Sequence, residues 1–347
     1  MNSRFIIPVF VPHKGCPNDC VFCNQKKITG QKTQYNFDKV NKEMQKAIST
    51  IEFDKKPIVE IAFYGGTFTA IDLKDQIKFL KIANKYIDKY PIKGIRLSTR
   101  PDSINIEILE MLKKFNVKRI ELGVQSLSNK VLNMSNRGHN EKEVYKACDL
   151  IKKYDFELGI QLMIGLPGDS YKEAIKTVKK VIKINPEFVR IYPTLIIKET
   201  ELEKLYNNNK YRPLNLDEAV DLSTDMYHLF FKNNIDVIRI GLQPTKNIME
   251  GEDVVAGPFH SSFRQLVISR YILKLIEQKI NMENIRQIKF ELNPKDISYL
   301  VGNKKSNKIY LNKKYNIENF KIISDKSIRR GKLKIFNKEI NETIYFS

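Results

Sequence analysis

One pattern recurs along the chain: a short apolar run, a polar linker, then apolar residues at helical spacing. Phe5 to Val11 reads as a buried strand stopped by Pro12, and Val40, Met44, Ala47 and Ile51 form the helix stripe that follows it. Ile58 to Tyr64 is the next run, with Leu73, Ile77, Leu80 and Ile87 as its stripe. Further strands are expected near Gly94 to Ser98, Val117 to Val124, Phe156 to Ile164 and Phe188 to Tyr192, separated by helices near 103–115, 141–154 and 170–184. Runs unbroken by polar alternation, each followed by a helix, predict a parallel sheet covered on one side. Crossovers between parallel strands are right-handed, so the six units should curl into an α/β fold, a partial (βα)6 barrel of the TIM type. In that architecture the chemistry gathers at the C-terminal rim of the strands.

Beyond the sixth strand, a helix from Leu216 to Lys232 and a strand from Asp236 to Arg239 are expected to close the barrel edge. Gly251 to Pro258 reads as a loop or boundary, which divides the chain into a barrel over 1–250 and a small basic α/β C-terminal domain over 251–347. That appendage should hold a helix from Phe263 to Ile280, then short strands and one further helix.

The first strand leads directly into Gly15-Cys16-Pro17-Asn18-Asp19-Cys20-Val21-Phe22-Cys23-Asn24, where three cysteines stand in C-x3-C-x2-C spacing. Three crowded thiolates repel one another unless they share a ligand, and three cannot all pair as disulfides. With His13 as a fourth donor the set would be Cys3His, a tetrahedral zinc site. Without a fourth donor, three thiolates suit a [4Fe-4S] cluster with one iron left open. The remaining cysteine, Cys148, lies on the stripe Val144, Ala147, Cys148, Ile151 and reads as core.

With Phe22 just before the last cysteine, the loop resembles the signature of the radical SAM superfamily. The resemblance implies a [4Fe-4S] cluster on Cys16, Cys20 and Cys23, with S-adenosyl-L-methionine on the open iron. It implies a 5'-deoxyadenosyl radical on reduction by a low-potential donor of flavodoxin or ferredoxin type. It also gives roles to residues at the strand ends. Gly65-Gly66-Thr67 resembles the glycine motif that receives the amino group of the methionine moiety, where missing side chains let the backbone approach. Ser98 and Arg100 after the third strand, and Gln125 after the fourth, become candidates for the ribose and for substrate. Arg137 resembles an arginine that holds the methionine carboxylate, and Gln161 opens a segment similar to one that lies against the adenine. Each has a plainer alternative on its own residues: a turn at the glycines, a helix cap at Ser126, a surface charge at Arg137, a core strand at 161–168.

Gly65-Gly66-Thr67, Gly123-Val124-Gln125-Ser126, Gly165-Leu166-Pro167-Gly168 and Arg190-Ile191-Tyr192-Pro193-Thr194-Leu195 together resemble the radical SAM half of the Elongator catalytic subunit over about residues 5 to 240. That subunit has a longer gap between its first two cysteines and continues into an acetyltransferase domain that 347 residues leave no room for. Acetyl-CoA is therefore not implied.

Charge bears on the substrate. Sixty Lys and Arg against 40 Asp and Glu give a net charge of +20, which favours a polyanion such as tRNA or another RNA. Half of that excess sits between Gly302 and Lys338, where 12 basic residues face only Glu318 and Asp325. Tyr310, Tyr315 and Phe320 are interleaved there and could stack on bases. Two other functions stay open: a radical SAM enzyme acting on a small anionic metabolite such as a porphyrinogen, weakly similar at the glycine and Gly-Val-Gln-Ser motifs, and a zinc-stabilised RNA-binding protein without catalysis. No apolar run approaches the roughly 20 residues of a membrane span, and the start of the chain lacks a signal peptide, so no membrane contact and a cytoplasmic setting are expected. Four cysteines, three of them clustered, fit a reducing compartment.

Overall fold

The computed structural model describes residues 4–11, 16, 19–24, 36–242, 252–280, 285–337 and 340–347. Seven parallel strands form one sheet: β1 (Arg4–Val11), β2 (Ile58–Gly65), β3 (Ile92–Thr99), β4 (Val117–Gln125), β5 (Glu157–Ile164), β6 (Phe188–Pro193) and β8 (Asp236–Ile240). The small strands β7 (Ile196–Ile197) and β9 (Val254–Ala256) pair antiparallel outside that sheet. Spatial order follows chain order from β1 to β6 and then β8, which the right-handed crossover rule turns into a curled half-barrel.

Helices α1 (Phe37–Ser49), α2 (Leu73–Ile87), α3 (Ile106–Lys114), α4 (Asn129–Met134), α5 (Glu141–Lys153), α6 (Tyr171–Ile184), α7 (Glu201–Asn207) and α8 (Leu216–Lys232) fill the connections. Local chemistry fixes their ends. Asn140 and Asn215 each form a capping box, with Glu143 and Glu218 at the third helical position. Asn116, Asn136, Asn185 and Asn234 hold left-handed backbone at turns, a conformation Asn tolerates better than most residues. Asparagine is thus put to structural use at helix starts and turns.

The core lies between the outer face of the sheet and the helices, where Ile61, Phe63, Leu97, Leu122, Ile160 and Val189 are buried. It continues without a break into the C-terminal region through α9 (Phe263–Lys279), which packs against α8 and is tied to it by ion pairs from Arg270 to Asp221 and Lys274 to Asp225. On α9 rest α10 (Ile297–Val301), α11 (Ser306–Tyr315) and a mixed sheet of β10 (Gln287–Leu292), β11 (Asn319–Ser324), β12 (Lys332–Phe336) and β13 (Asn341–Tyr345), in the order β11-β10-β12-β13. Tyr227 donates to the carbonyl of Phe346 at 2.7 Å and so fastens the chain's last strand to α8.

The expected half-barrel with a small α/β appendage is what forms. Three details differ. Two helices, α10 and α11, stand where one was expected after α9, because Gly302 (φ 80) breaks the segment. Val254 to Ala256, read as loop, pairs with β7. Tyr315 is only 7% exposed and belongs to the core, and Phe320 packs its ring 4.7 Å from that of Phe290, so Tyr315 cannot stack on a base and Phe320 is largely committed to packing. The boundary placed between residues 250 and 251 and the basic residue Lys338 lie outside the described residues. No helix among the described residues is long and apolar enough to cross a membrane.

Candidate functional site

The cysteine loop follows β1 at the C-terminal rim and is held there from two sides. Val21 N–H donates to the carbonyl of Ser135 at 3.2 Å, and the Asn136 amide donates to the carbonyl of Asp19 at 2.8 Å. On the other side Leu202 N–H donates to the Val21 carbonyl at 2.7 Å, and the Asn24 amide reaches the Lys198 carbonyl at 3.1 Å. The first clamp has a local cause. Helix α4 ends in a Schellman motif, with Asn136 left-handed (φ 51), its N–H on Asn133 and that of Arg137 on Leu132. The motif turns the chain back toward the loop and delivers Arg137 to it.

Arg137 is 6% exposed, which removes the surface-charge alternative. Its Nη1 lies 3.2 Å from Cys20 Sγ, and its Nη2 donates to the carbonyl of Gly123. Arg100 approaches the same sulfurs, with Nη1 at 3.7 Å from Cys16 and 4.0 Å from Cys20. Asp102 grips Arg100 through two 2.9 Å bonds, and Arg100 Nη2 donates to the Arg137 carbonyl. Burial opposes charge on Arg100, but the bonded Asp102 and the nearby sulfurs outweigh it, and its pKa is raised. Two fixed cations therefore face the cysteine loop.

None of the four cysteines, Cys16, Cys20, Cys23 and Cys148, is in a disulfide. Cys148 is buried on its helix stripe, and burial pushes its thiol up to about 12, which suits a core residue. Three soft thiolate donors with cations beside them match by kind what a [4Fe-4S] cluster with one open iron would take from a protein. Among the described residues no group of three His, Cys, Asp or Glu side chains is placed to hold a single metal ion. His13, the fourth member of the zinc alternative, lies outside the described residues, as do Gly15, Pro17 and Asn18.

The other candidates spread along the rim. Phe22 is half-buried between Cys20 and Cys23. Gly65 has φ 108, and a Cβ there would meet the Val11 carbonyl at 2.4 Å, so its glycine serves the contact of β2 with β1; Gly66 N–H donates to that same carbonyl at 3.1 Å. Thr67 is buried and Ser98 half-buried on the inner face of β3. Gln125 is buried with φ 68, and the partner that Gln161 needs proves to be Gln125, at 3.5 Å. Ser126 is a local support, accepting from Ser128 N–H at 3.1 Å.

Several residues have contacts that the sequence does not show. Gly123 leaves space that a Cβ would share with Gln125 Nε2 at 3.2 Å and Arg137 Nη2 at 3.5 Å. His139 is 3% exposed; burial first, then the charge of Arg137, lowers its pKa to about 3. Below the rim runs an ion-pair chain, buried except at its Glu157 end: Glu157 to Arg119, Arg119 to Glu60 at 3.1 Å, Glu60 to Arg96 at 3.6 Å, Arg96 to Glu121, and Glu121 to Arg190 at 2.8 Å. Charged residues inside apolar strands were the signal that could have found it, since such groups are kept inside only when paired.

Comparison with known proteins agrees with this geometry. Residues 10–181 match the family described as the radical SAM superfamily, and residues 186–273 match the radical SAM C-terminal domain. The chain belongs to the radical SAM superfamily, whose members bind S-adenosylmethionine and a [4Fe-4S] cluster, and it is an enzyme of that class. It is 27% identical over 257 residues to the tRNA uridine(34) acetyltransferase of Methanocaldococcus infernus, covering 62% of this chain and 48% of that one. It is 30% identical over 233 residues to an uncharacterized protein of Methanocaldococcus jannaschii, covering 64% and 70%. Among solved structures, the archaeal Elp3 of M. infernus with an N-terminal deletion superposes with a TM-score of 0.61 at 21% identity, over 80% of this chain and 64% of that one. The chain spans about half the length of the tRNA uridine(34) acetyltransferases it matches.

Proposed function

We propose that this enzyme reductively cleaves S-adenosylmethionine at a [4Fe-4S] cluster held by Cys16, Cys20 and Cys23 and directs the radical at an RNA of tRNA type. The observation that carries the first half is the pair of buried guanidiniums, Arg100 and Arg137, converging on the sulfurs of Cys16 and Cys20. When bound, the cluster supplies the electron that breaks a carbon–sulfur bond of S-adenosylmethionine, and a low-potential donor of flavodoxin or ferredoxin type replaces it. The chain's own part is positioning. Arg137 and Arg100 offset negative charge at the loop, Gly66, Thr67 and Ser98 present backbone and hydroxyl groups on the rim, and the Gln125–Gln161 pair lines the inner face.

The RNA half is supported by the resemblance to enzymes named for tRNA uridine and by the appendage's surface. Lys304, Lys305, Lys313, Lys321, Lys326 and Arg329 are exposed there. Lys304 and Lys305 both hold left-handed backbone, φ 49 and 64, just after Gly302, a cost of order 1–3 kcal/mol each that non-glycine residues bear where position matters. The division into a barrel and a basic docking domain near residue 250 belongs to this same reading.

Anaerobically purified protein, reduced in the presence of S-adenosylmethionine, is expected to release 5'-deoxyadenosine and to retain tRNA on native gels. A reduced, iron-loaded protein that forms no 5'-deoxyadenosine would refute the chemistry. Failure to bind tRNA at low salt would refute the substrate.

A further inference from the structure

Above the ion-pair chain, Arg190 on β6 reaches toward two tyrosines. Its Nη1 donates to the Tyr192 hydroxyl at 3.3 Å and its Nη2 to the Tyr64 hydroxyl at 3.3 Å, while Glu121 holds the same guanidinium through Nε at 2.8 Å and Nη2 at 3.1 Å. The guanidinium carbon also stands 5.4 Å from the centre of the Tyr64 ring. Glu121 is 2% exposed and is gripped from its other side by Arg96, 1% exposed, so the arrangement is rigid.

The bonding pattern has a chemical consequence. Arginine has only donors, so both tyrosine oxygens must be accepting. Each phenol then keeps its own O–H hydrogen for another acceptor, and among the described residues neither is given one. A hydroxyl whose oxygen already accepts from a cation is a stronger donor, because hydrogen bonds in a chain polarise one another. Tyr64 and Tyr192 are the next-to-last residues of β2 and β6 and are half-buried at the rim level of the half-barrel. They form two polarised donors on one guanidinium.

Charge narrows what they can take. Glu60, Glu121 and Glu157 are matched by Arg96, Arg119 and Arg190, and Arg239, aligned with Arg190 on β8, is itself engaged. These three acids and three arginines cancel in charge, so the floor offers directed donors held on a neutral network, which favours neutral carbonyl oxygens over a carboxylate or phosphate. Beside Tyr64, at 6.4 Å between ring centres, Phe10 is 42% exposed and provides a flat apolar face. A planar, neutral ring bearing carbonyls satisfies both features.

We propose that Tyr64 and Tyr192 are hydrogen-bond donors that hold carbonyl oxygens of the substrate ring, with Arg190 as the residue that positions them. This rests on the RNA reading above and deepens it: the ring is an unpaired base, admitted according to how many carbonyls it presents. Uracil presents two, guanine and cytosine one each, adenine none.

The test uses the iron-loaded full chain and four stem-loop RNAs that differ only in the base at the centre of the loop. Wild-type affinity should fall from uridine through guanosine and cytidine to adenosine, by about tenfold across the series, as expected for two neutral hydrogen bonds of about 0.5–1.5 kcal/mol each. Tyr64→Phe and Tyr192→Phe keep both rings, and each should bring uridine down toward the one-carbonyl bases; the double variant should bind all four equally. Iron content and circular dichroism matching wild type establish that the barrel is intact. Equal wild-type affinity for all four bases, or an unchanged order in the double variant, overturns the inference and leaves the RNA reading standing. No binding of any stem-loop by wild type overturns the RNA reading and this inference with it.

Discussion

Arg137 Nη1 and Cys20 Sγ lie 3.2 Å apart although 117 residues separate them in the chain. The contact joins the turn after α4 to the loop after β1, and it puts a fixed cation beside a thiolate donor in a buried setting, where charge-assisted bonds are strongest. Cys16→Ala, Cys20→Ala and Cys23→Ala are each expected to abolish iron retention after anaerobic reconstitution, whereas Cys148→Ala should keep it. Arg137→Ala should weaken S-adenosylmethionine binding by about 1.5–3 kcal/mol, the range for a hydrogen bond to a charged group. Iron assays and calorimetry read these directly; a Cys148 variant without iron, or an Arg137 variant with undiminished affinity, contradicts the assignment.

Glu121 is shared by Arg96 and Arg190 across three strands of the sheet. Glu121→Gln keeps the shape and removes the charge that both guanidiniums face, so two buried cations lose their common partner. Breaking a buried pair from one side costs about 3–5 kcal/mol. Urea denaturation of the variant should show that loss with an unchanged slope. A difference below about 1 kcal/mol would mean that water or another acid takes over the role of Glu121.

His139 gives a pH signature. Its folded pKa is lowered to about 3, by burial first and then by Arg137, with Asp102 acting in the opposite sense and Arg100 adding to the lowering. Below its ordinary value near 6.5 the unfolded chain binds the proton first, so this group's contribution to stability falls as pH falls from about 6.5 to about 3, by up to about 1.4 kcal/mol per pH unit. His139→Gln should therefore be least damaging, relative to wild type, at the acid end of that window. Denaturation curves for both proteins between pH 7 and pH 4 test the sign: a difference that stays constant with pH would show that His139 titrates normally.

The strands and helices were legible because each is a self-contained local statement. Ile58 to Tyr64 has no polar break long enough to expose it, and Asn215-x-x-Glu218 announces the start of α8. The cysteine loop was legible for the same reason. What could not be read was pairing across distance. Arg190 stands in a motif of the sequence, but its partner Glu121 is visible only once β4 lies nearby, and Arg137, a candidate from its resemblance, shows its contact with Cys20 only once a Schellman turn folds it inward. Gln161 is a polar residue in an apolar strand, and only the register of β4 with β5 shows that Gln125 partners it. Tyr315 was misjudged because a helix stripe of weak periodicity does not say which face is covered, and the fold turns it into the core.

The appendage makes the last prediction, and its structure changes which residues should be tested. Arg330 looks like part of the basic surface, yet its Nε lies 3.2 Å from Asp296, a buried acid that also accepts from Gly331 N–H at 2.8 Å. Reversing Arg330 would strand that acid and damage the fold. Lys314 is similarly engaged with Glu277. Lys304, Lys305, Lys326 and Arg329 are exposed, and their joint reversal to Glu should leave thermal stability near wild type while abolishing tRNA binding. If about six phosphates are contacted, wild-type affinity should fall with salt at a log-log slope near −4, from about 0.7 released counterions per contact on single strands. The reversed variant should show neither the binding nor the slope. Retention of tRNA with the wild-type slope after all four reversals would place the docking surface elsewhere on the chain, and the radical chemistry would then have to be sought on a substrate that the half-barrel receives without help from the appendage.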